Sequence, residues 1–169
     1  MVRKRIITVF VLIIMLLSIL ITYRYIQYIL VWQANQKIDV GGIRLMMSEN
    51  EVSNLLGKEV YVQGFGGYRL EYPSKSIFLT FLDDNDTDFY HKVSQIEIAD
   101  SRYNIYNVKV GDDIQKANST IQKAGFLKQK EGFPGYWKLN MYIVLDYDNN
   151  KVQKITIGVS DRVSSSRIY

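Results

Sequence analysis

The chain contains no cysteine, only two prolines and a single histidine among its 169 residues. The missing cysteines exclude disulfides, thiolate metal sites, thiol catalysis and a lipid-bearing N-terminal cysteine together. One histidine, His91, leaves little material for a catalytic triad or a zinc centre. So few prolines exclude a fibrous chain, and 47% hydrophobic residues exclude a disordered one. Nor does the sequence contain G-x-S-x-G, a phosphate-binding loop or H-E-x-x-H. Its length predicts one domain or two small ones.

What is present begins with a long apolar run. Residues 6–21 (IITVFVLIIMLLSILI) are interrupted only by Thr8 and Ser18. The run continues to Trp32 with Arg24 as its one charge. A spanning helix needs about 20 apolar residues. Tyr23, Tyr25, Tyr28 and Trp32 crowd one end, and Arg3, Lys4 and Arg5 flank the other. Aromatic rings favour the membrane interface and basic residues the cytoplasmic side. The pattern therefore predicts a cytoplasmic N-terminus over 1–5, a transmembrane anchor in the lipid bilayer over 6–32 and a linker over 33–42. The C-terminal domain would then be extracytoplasmic, on a single-pass protein of the cell membrane. Cleavage as a signal peptide fits less well, because Trp32 would stand at position −3 if Ala34 were −1. Residues 1–35 hold four basic groups and no acid. Removing those four from 21 basic residues leaves 17, which matches the 17 acidic ones. The remainder is neutral, so the basic pI is no nucleic-acid footprint and no nucleic-acid partner is predicted. A cysteine-free extracytoplasmic domain points to a Gram-positive bacterium.

The rest of the chain repeats itself. Residues 92–99 read KVSQIEIA and residues 151–158 read KVQKITIG. Apolar runs precede both, IFLTF at 77–81 and IVLDY at 143–147. Further upstream each half carries Gly-Tyr, at 67–68 and 135–136, and a short helical pattern ending in Gly57 or Gly125. Five features in one order imply duplication. In the first half Ser48 and Glu51 form a capping box ahead of Val52, Leu55 and Leu56. In the second, Asp112 or Asp113 caps a helix about one turn longer, with Ile114, Ala117, Ile121 and Ala124 on its apolar face. Val93 and Ile96 are three apart, as are Val152 and Ile155. A bulge, or a strand starting after the valine, reconciles both with a period of two. The fold class predicted is α+β: repeat unit 1 over 43–101, repeat unit 2 over 102–162, a flexible tail over 163–169. Helices would cover one face of a single antiparallel sheet.

Residues 43–57 (IRLMMSENEVSNLLG) resemble the opening motif of β-lactamase-inhibitor-protein-like envelope domains, and are similar to small lipoproteins of outer-membrane assembly. Met47, Ser48, Glu51, Val52, Leu55, Leu56 and Gly57 match that motif, and Met46 stands where it has Gly. The second copy keeps this glycine as Gly111. The resemblance covers roughly 40–160, judged by the repeat units. It implies a tandem helix-and-sheet fold that acts by binding proteins. It departs from that family in having neither a lipobox cysteine nor disulfides.

Two candidate sites follow. Phe65 and Tyr68 stand in GFGGY, and Phe133, Tyr136 and Trp137 in its counterpart GFPGYW. Glycines free the backbone to present neighbouring rings, and Tyr and Trp anchor binding surfaces. These five residues are the predicted contacts for a protein or peptide partner of the envelope. Packing of the same rings in the core is the ordinary alternative. The acidic stretch with Asp84, Asp86 and Asp88 resembles a calcium loop, but Phe89 stands where Gly is required and Gln95 where a bidentate Glu is required. A solvated turn with no metal and no cofactor is predicted there. His91, beside that loop, reads as a surface histidine. The functional expectation is a non-enzymatic, membrane-anchored binding module. The alternatives are a metal-dependent envelope hydrolase built on the acidic loops, or a structural membrane subunit.

Overall fold

The computed structural model describes residues 2–64, 67–83, 89–128 and 134–160. Helix α1 (Val2–Asn35) leads into strand β1 (Ile38–Asp39) and helix α2 (Glu49–Leu56). Strands β2 (Val60–Gly64), β3 (Gly67–Tyr72), β4 (Ile77–Leu82) and β5 (Val93–Ile98) complete the first repeat. Strand β6 (Asn104–Ile105) leads to helix α3 (Ile114–Lys123). Strands β7 (Leu127–Lys128), β8 (Tyr136–Lys138), β9 (Met141–Asp148) and β10 (Lys151–Val159) complete the second.

Eight strands form one antiparallel sheet in the order β2-β3-β4-β5-β10-β9-β8-β7, and β1 pairs with β6 apart from it. The order reads as two four-strand meanders joined back to back. At the join, Ile98 pairs with Ile155, Glu97 with Thr156 and Ile96 with Ile157. In the sequence repeat Ile96 corresponds to Ile155 and Ile98 to Ile157. Each isoleucine therefore meets the counterpart of its neighbour, which places a local two-fold at the Glu97–Thr156 pair.

The bulges fall where the repeat demands them. Pairing of β4 with β5 passes from Thr80–Gln95 to Phe81–Val93 and skips Ser94. Pairing of β10 with β9 skips Gln153, the corresponding residue. The Ser94 hydroxyl donates to the Thr80 carbonyl at 3.0 Å. Beyond the bulges, Ile77, Leu79, Phe81, Ile96, Ile98, Ile143, Leu145, Ile155 and Ile157 fill one sheet face. Val52 of α2 and Ile114, Ala117 and Ile121 of α3 join the same core.

The helix starts are built as their sequences require. Ser48 accepts from the Glu51 amide and Glu51 Oε2 accepts from the Ser48 amide, a complete capping box. Asp113, rather than Asp112, caps α3. The longer helix exceeds the shorter by two residues, ten against eight, which is half a turn rather than one. Before each helix the chain is laced to the start of the last strand. The Met46 amide donates to the Val93 carbonyl and the Gly111 amide to the Val152 carbonyl. Val93 and Val152 return the bond to Met47 and Asp112. Gly111 has φ 91 and Met46 has φ 71, so methionine occupies a left-handed position in the first copy.

The N-terminal expectation requires correction. Among the described residues no helix is long and apolar enough to cross a membrane. The transmembrane anchor, the bilayer contact over 6–32 and the single-pass arrangement are therefore not supported. Within α1, the side chains of residues 10–19 are exposed. The other end of the expected anchor belongs to the folded domain. Val31 and Ala34 are buried in the core, and Leu30 packs against it. The Asn35 amide closes this dock by accepting from the Leu45 amide at 2.9 Å and donating to the Leu45 carbonyl at 3.0 Å.

Candidate functional site

The predicted contacts separate in the structure. Phe65 and Phe133 lie outside the described residues, as do Asp84, Asp86 and Asp88. Tyr68 and Tyr136 are each 4% exposed, on the core face of the sheet. Their burial takes both rings off the surface on which a partner would land. Trp137 is half-buried on the opposite face beside Tyr142, with ring centroids 5.3 Å apart. Strands β3 and β8 stand five strand spacings apart in the sheet, roughly 24 Å. The two Gly-aromatic segments therefore do not converge on one surface. The reason lies in Gly67. A Cβ there would strike the Phe81 carbonyl oxygen, so this glycine serves close pairing of β3 with β4 rather than ring display.

The first repeat instead gathers a polar cluster around Tyr68. Its hydroxyl donates to Glu49 Oε2 at 2.6 Å. His91 Nδ1 lies 3.3 Å from the same hydroxyl, and His91 Nε2 lies 3.3 Å from Asp83 Oδ1. Burial, then the hydrogen bond and charge of Glu49, hold the Tyr68 phenol well above its ordinary range. It stays a neutral donor and anchors the cluster. Tyr68 also stacks on Phe81 at 5.1 Å and beneath Tyr61 at 5.2 Å between centroids. Tyr90 meets the edge of His91 at 4.1 Å. Tyr61 and Tyr90, 55% and 44% exposed, form the outward surface of this cluster.

The second repeat shows what is special here. His91 has φ 51, and its counterpart Asn150 has φ 61. Asn149 and Asn150 close the β9–β10 hairpin with two left-handed residues, which asparagine accepts readily. In the first repeat an imidazole takes that backbone position and spends its ring on Tyr68 and Asp83. Glu49, the residue after the helix cap, corresponds to buried Ile114. The Asp–His–Tyr–Glu chain is thus built into one copy of a duplicated frame. Sequence reasoning missed Glu49, Asp83 and Tyr90 as members. The available signal was the substitution of His91 for Asn150 at a shared turn position.

Two other features have structural explanations. Glu97, at the local two-fold, accepts from Arg69 of the first repeat at 2.9 Å and faces Lys154 of the second at 3.5 Å. This clasp holds the two halves together on the sheet face opposite the core. A groove of about 550 Å³ opens between the end of α1 and the second repeat, lined in part by Trp32, Lys37, Tyr106, Lys123 and Lys138. Its lysines stand near the carboxyl ends of α1 and α3, where cations are favoured. Lys138 Nζ donates to the Ala124 carbonyl at 2.9 Å. Among the described residues no group of three or more His, Cys, Asp or Glu side chains is placed to hold a metal ion.

Neither a protein-family model nor a curated protein sequence matches the chain. Its fold is similar to the crystal structure of an extracellular protein containing an SCP domain from Bacillus anthracis, with a TM-score of 0.52 and 8% sequence identity. The likeness covers 70% of this chain and 45% of that one, so the chain spans less than half of its structural neighbour. At that identity the likeness concerns the fold alone.

Proposed function

We propose that this chain is an extracytoplasmic binding module that recognises a protein or peptide partner in the bacterial envelope without catalysing a reaction. One observation carries the reading. The two copies share a frame, and the first has acquired the Glu49–Tyr68–His91–Asp83 chain beneath exposed Tyr61 and Tyr90. Tyrosines held rigidly at a surface make favourable contact area at small entropic cost. Nothing in the cluster presents a nucleophile: its phenol is buried and committed to Glu49. The extracytoplasmic setting draws support from the extracellular neighbour of like fold. A Gram-positive source belongs to the same reading.

The test uses partner capture by chemical crosslinking in envelope fractions of the source cells. Tyr61→Ala combined with Tyr90→Ala should lose the captured species, and Tyr147→Ala, an exposed site in the second repeat, should keep it. Equal capture by both variants would remove this cluster from the account.

A further inference from the structure

We propose that strand β2 receives an extended, uncharged peptide strand from the partner, paired main chain to main chain along the edge that no strand occupies among the described residues. The proposal rests on the reading of the chain as a binding module, and it names the occupant and the mode of capture. The sheet has two edges, β2 and β7. They occupy equivalent places in the duplicated frame and are treated in opposite ways. The described part of strand β7 is Leu127 and Lys128. A lysine on an edge strand is a standard protection against stray pairing. Strand β2 has five residues, VYVQG, all exposed, with no charge and no proline. Its register with β3 runs without a bulge from Val60–Glu71 to Gly64–Gly67. Nothing in it turns the outer row of amides and carbonyls away from a newcomer. An edge of this kind templates strand addition, the basis of one mode of peptide recognition.

The chemistry of the occupant follows from the alternation. Val60 and Val62 lie on one side of the edge and Tyr61 and Gln63 on the other. The Tyr61 hydroxyl is already bonded to Gln63 Oε1 at 2.7 Å, which fixes the ring along the strand. The complementary segment therefore alternates too. It places β-branched or aromatic side chains beside Val60 and Val62, and small or polar ones beside Tyr61 and Gln63. A charge opposite this row would find no partner within β2. A second copy of the chain fits less well. A five-residue ladder is about 17 Å long. A symmetric contact one strand deep over that length falls short of the roughly 1,200 Å² that a stable interface buries. A peptide needs no domain-sized interface, because main-chain pairing over a short edge with alternate side chains seated beside it is itself a mode of peptide capture.

The experiment selects displayed random peptides on the full chain. It then measures binding and amide hydrogen exchange with the selected peptides. The expected peptides are uncharged and alternating. Their binding should protect amides of residues 60–64, and Val60→Lys combined with Val62→Lys should weaken it by roughly tenfold or more. Both valines are exposed, at 52% and 40%, and a thermal melt confirms that the variant folds. No selected peptide above background, or binding without protection of 60–64, would overturn strand addition. A dimer of the chain abolished by the same lysines would overturn it in favour of self-pairing. Partner capture that depends on Tyr61 and Tyr90 but leaves β2 amides unprotected would sink this inference alone and leave the binding module standing.

Discussion

The left-handed position before each helix allows the duplication to be tested in energetic terms. Gly111 has φ 91 and a Cβ added there meets nothing within 4 Å. Gly111→Ala therefore changes no contact, and its cost is the backbone alone. A side chain in this region costs about 1–2 kcal/mol. Loss of unfolded-state freedom returns roughly 0.4–1 kcal/mol. The net expectation is a destabilisation near 1 kcal/mol, or about 2–4 °C in Tm for a chain of this size. Met46, with φ 71, should respond with the opposite sign. Its side chain packs against the core, so the proper reference is Met46→Ala rather than the native residue. Met46→Gly should be more stable than Met46→Ala by about 1 kcal/mol, whereas glycine at an ordinary position is less stable than alanine by roughly 0.5–1 kcal/mol. Urea denaturation of the three variants measures both differences. A neutral Gly111→Ala, or a glycine less stable than alanine at 46, would refute the equivalence of the two positions.

Three further outcomes follow from the sheet. Gly158 lies between Tyr142 and Gln95 in the strand order, and the Tyr142 ring crosses it to donate to Gln95 Oε1 at 2.6 Å. Gly158→Ala would drive a methyl into that ring and should cost about 2 kcal/mol in a denaturant melt. Burial pushes the Tyr142 phenol up to about 12, and burial also raises Tyr72, Tyr106 and Tyr136. A folded-state pKa above the unfolded value of about 10 gives stability that is complete below pH 10 and lost as pH rises toward 12. Equilibrium unfolding across that window should show stability falling by up to about 1.4 kcal/mol per pH unit for Tyr142, with the other three phenols acting in the same direction; a flat profile would contradict its burial. Glu97→Ala should cost about 1–2 kcal/mol, since its cationic partners are about one-third exposed and partly screened; no change in a thermal melt would show that the clasp is incidental.

Much of the frame could be read from local chemistry. The spacing of Val93 and Ile96, repeated at Val152 and Ile155, contained both bulges, because a period-two strand must absorb the extra residue somewhere. Ser48 with Glu51 announced its cap for an equally local reason. The end of the N-terminal helix misled because an apolar sequence carries no mark of what it packs against. Leu30, Val31 and Ala34 belong to the domain through contacts with distant residues, Asn35 with Leu45 among them. Gly67-Tyr68 misled because glycine serves close strand approach as readily as loop freedom, and only the Phe81 carbonyl reveals which. The cluster around Tyr68 draws on α2, β3 and the turn between β4 and β5. No spacing rule joins Glu49, Tyr68, Asp83 and His91 before the sheet brings them together.

The claim that the first repeat supplies the binding surface is tested most directly by photo-crosslinking from two positions in cells. A photoreactive residue at position 61 lies on the exposed edge of the first repeat, and one at position 147 is equally exposed on the second. Crosslinks to a discrete partner from position 61, absent from position 147, are predicted. Crosslinks from position 147 alone would contradict the claim.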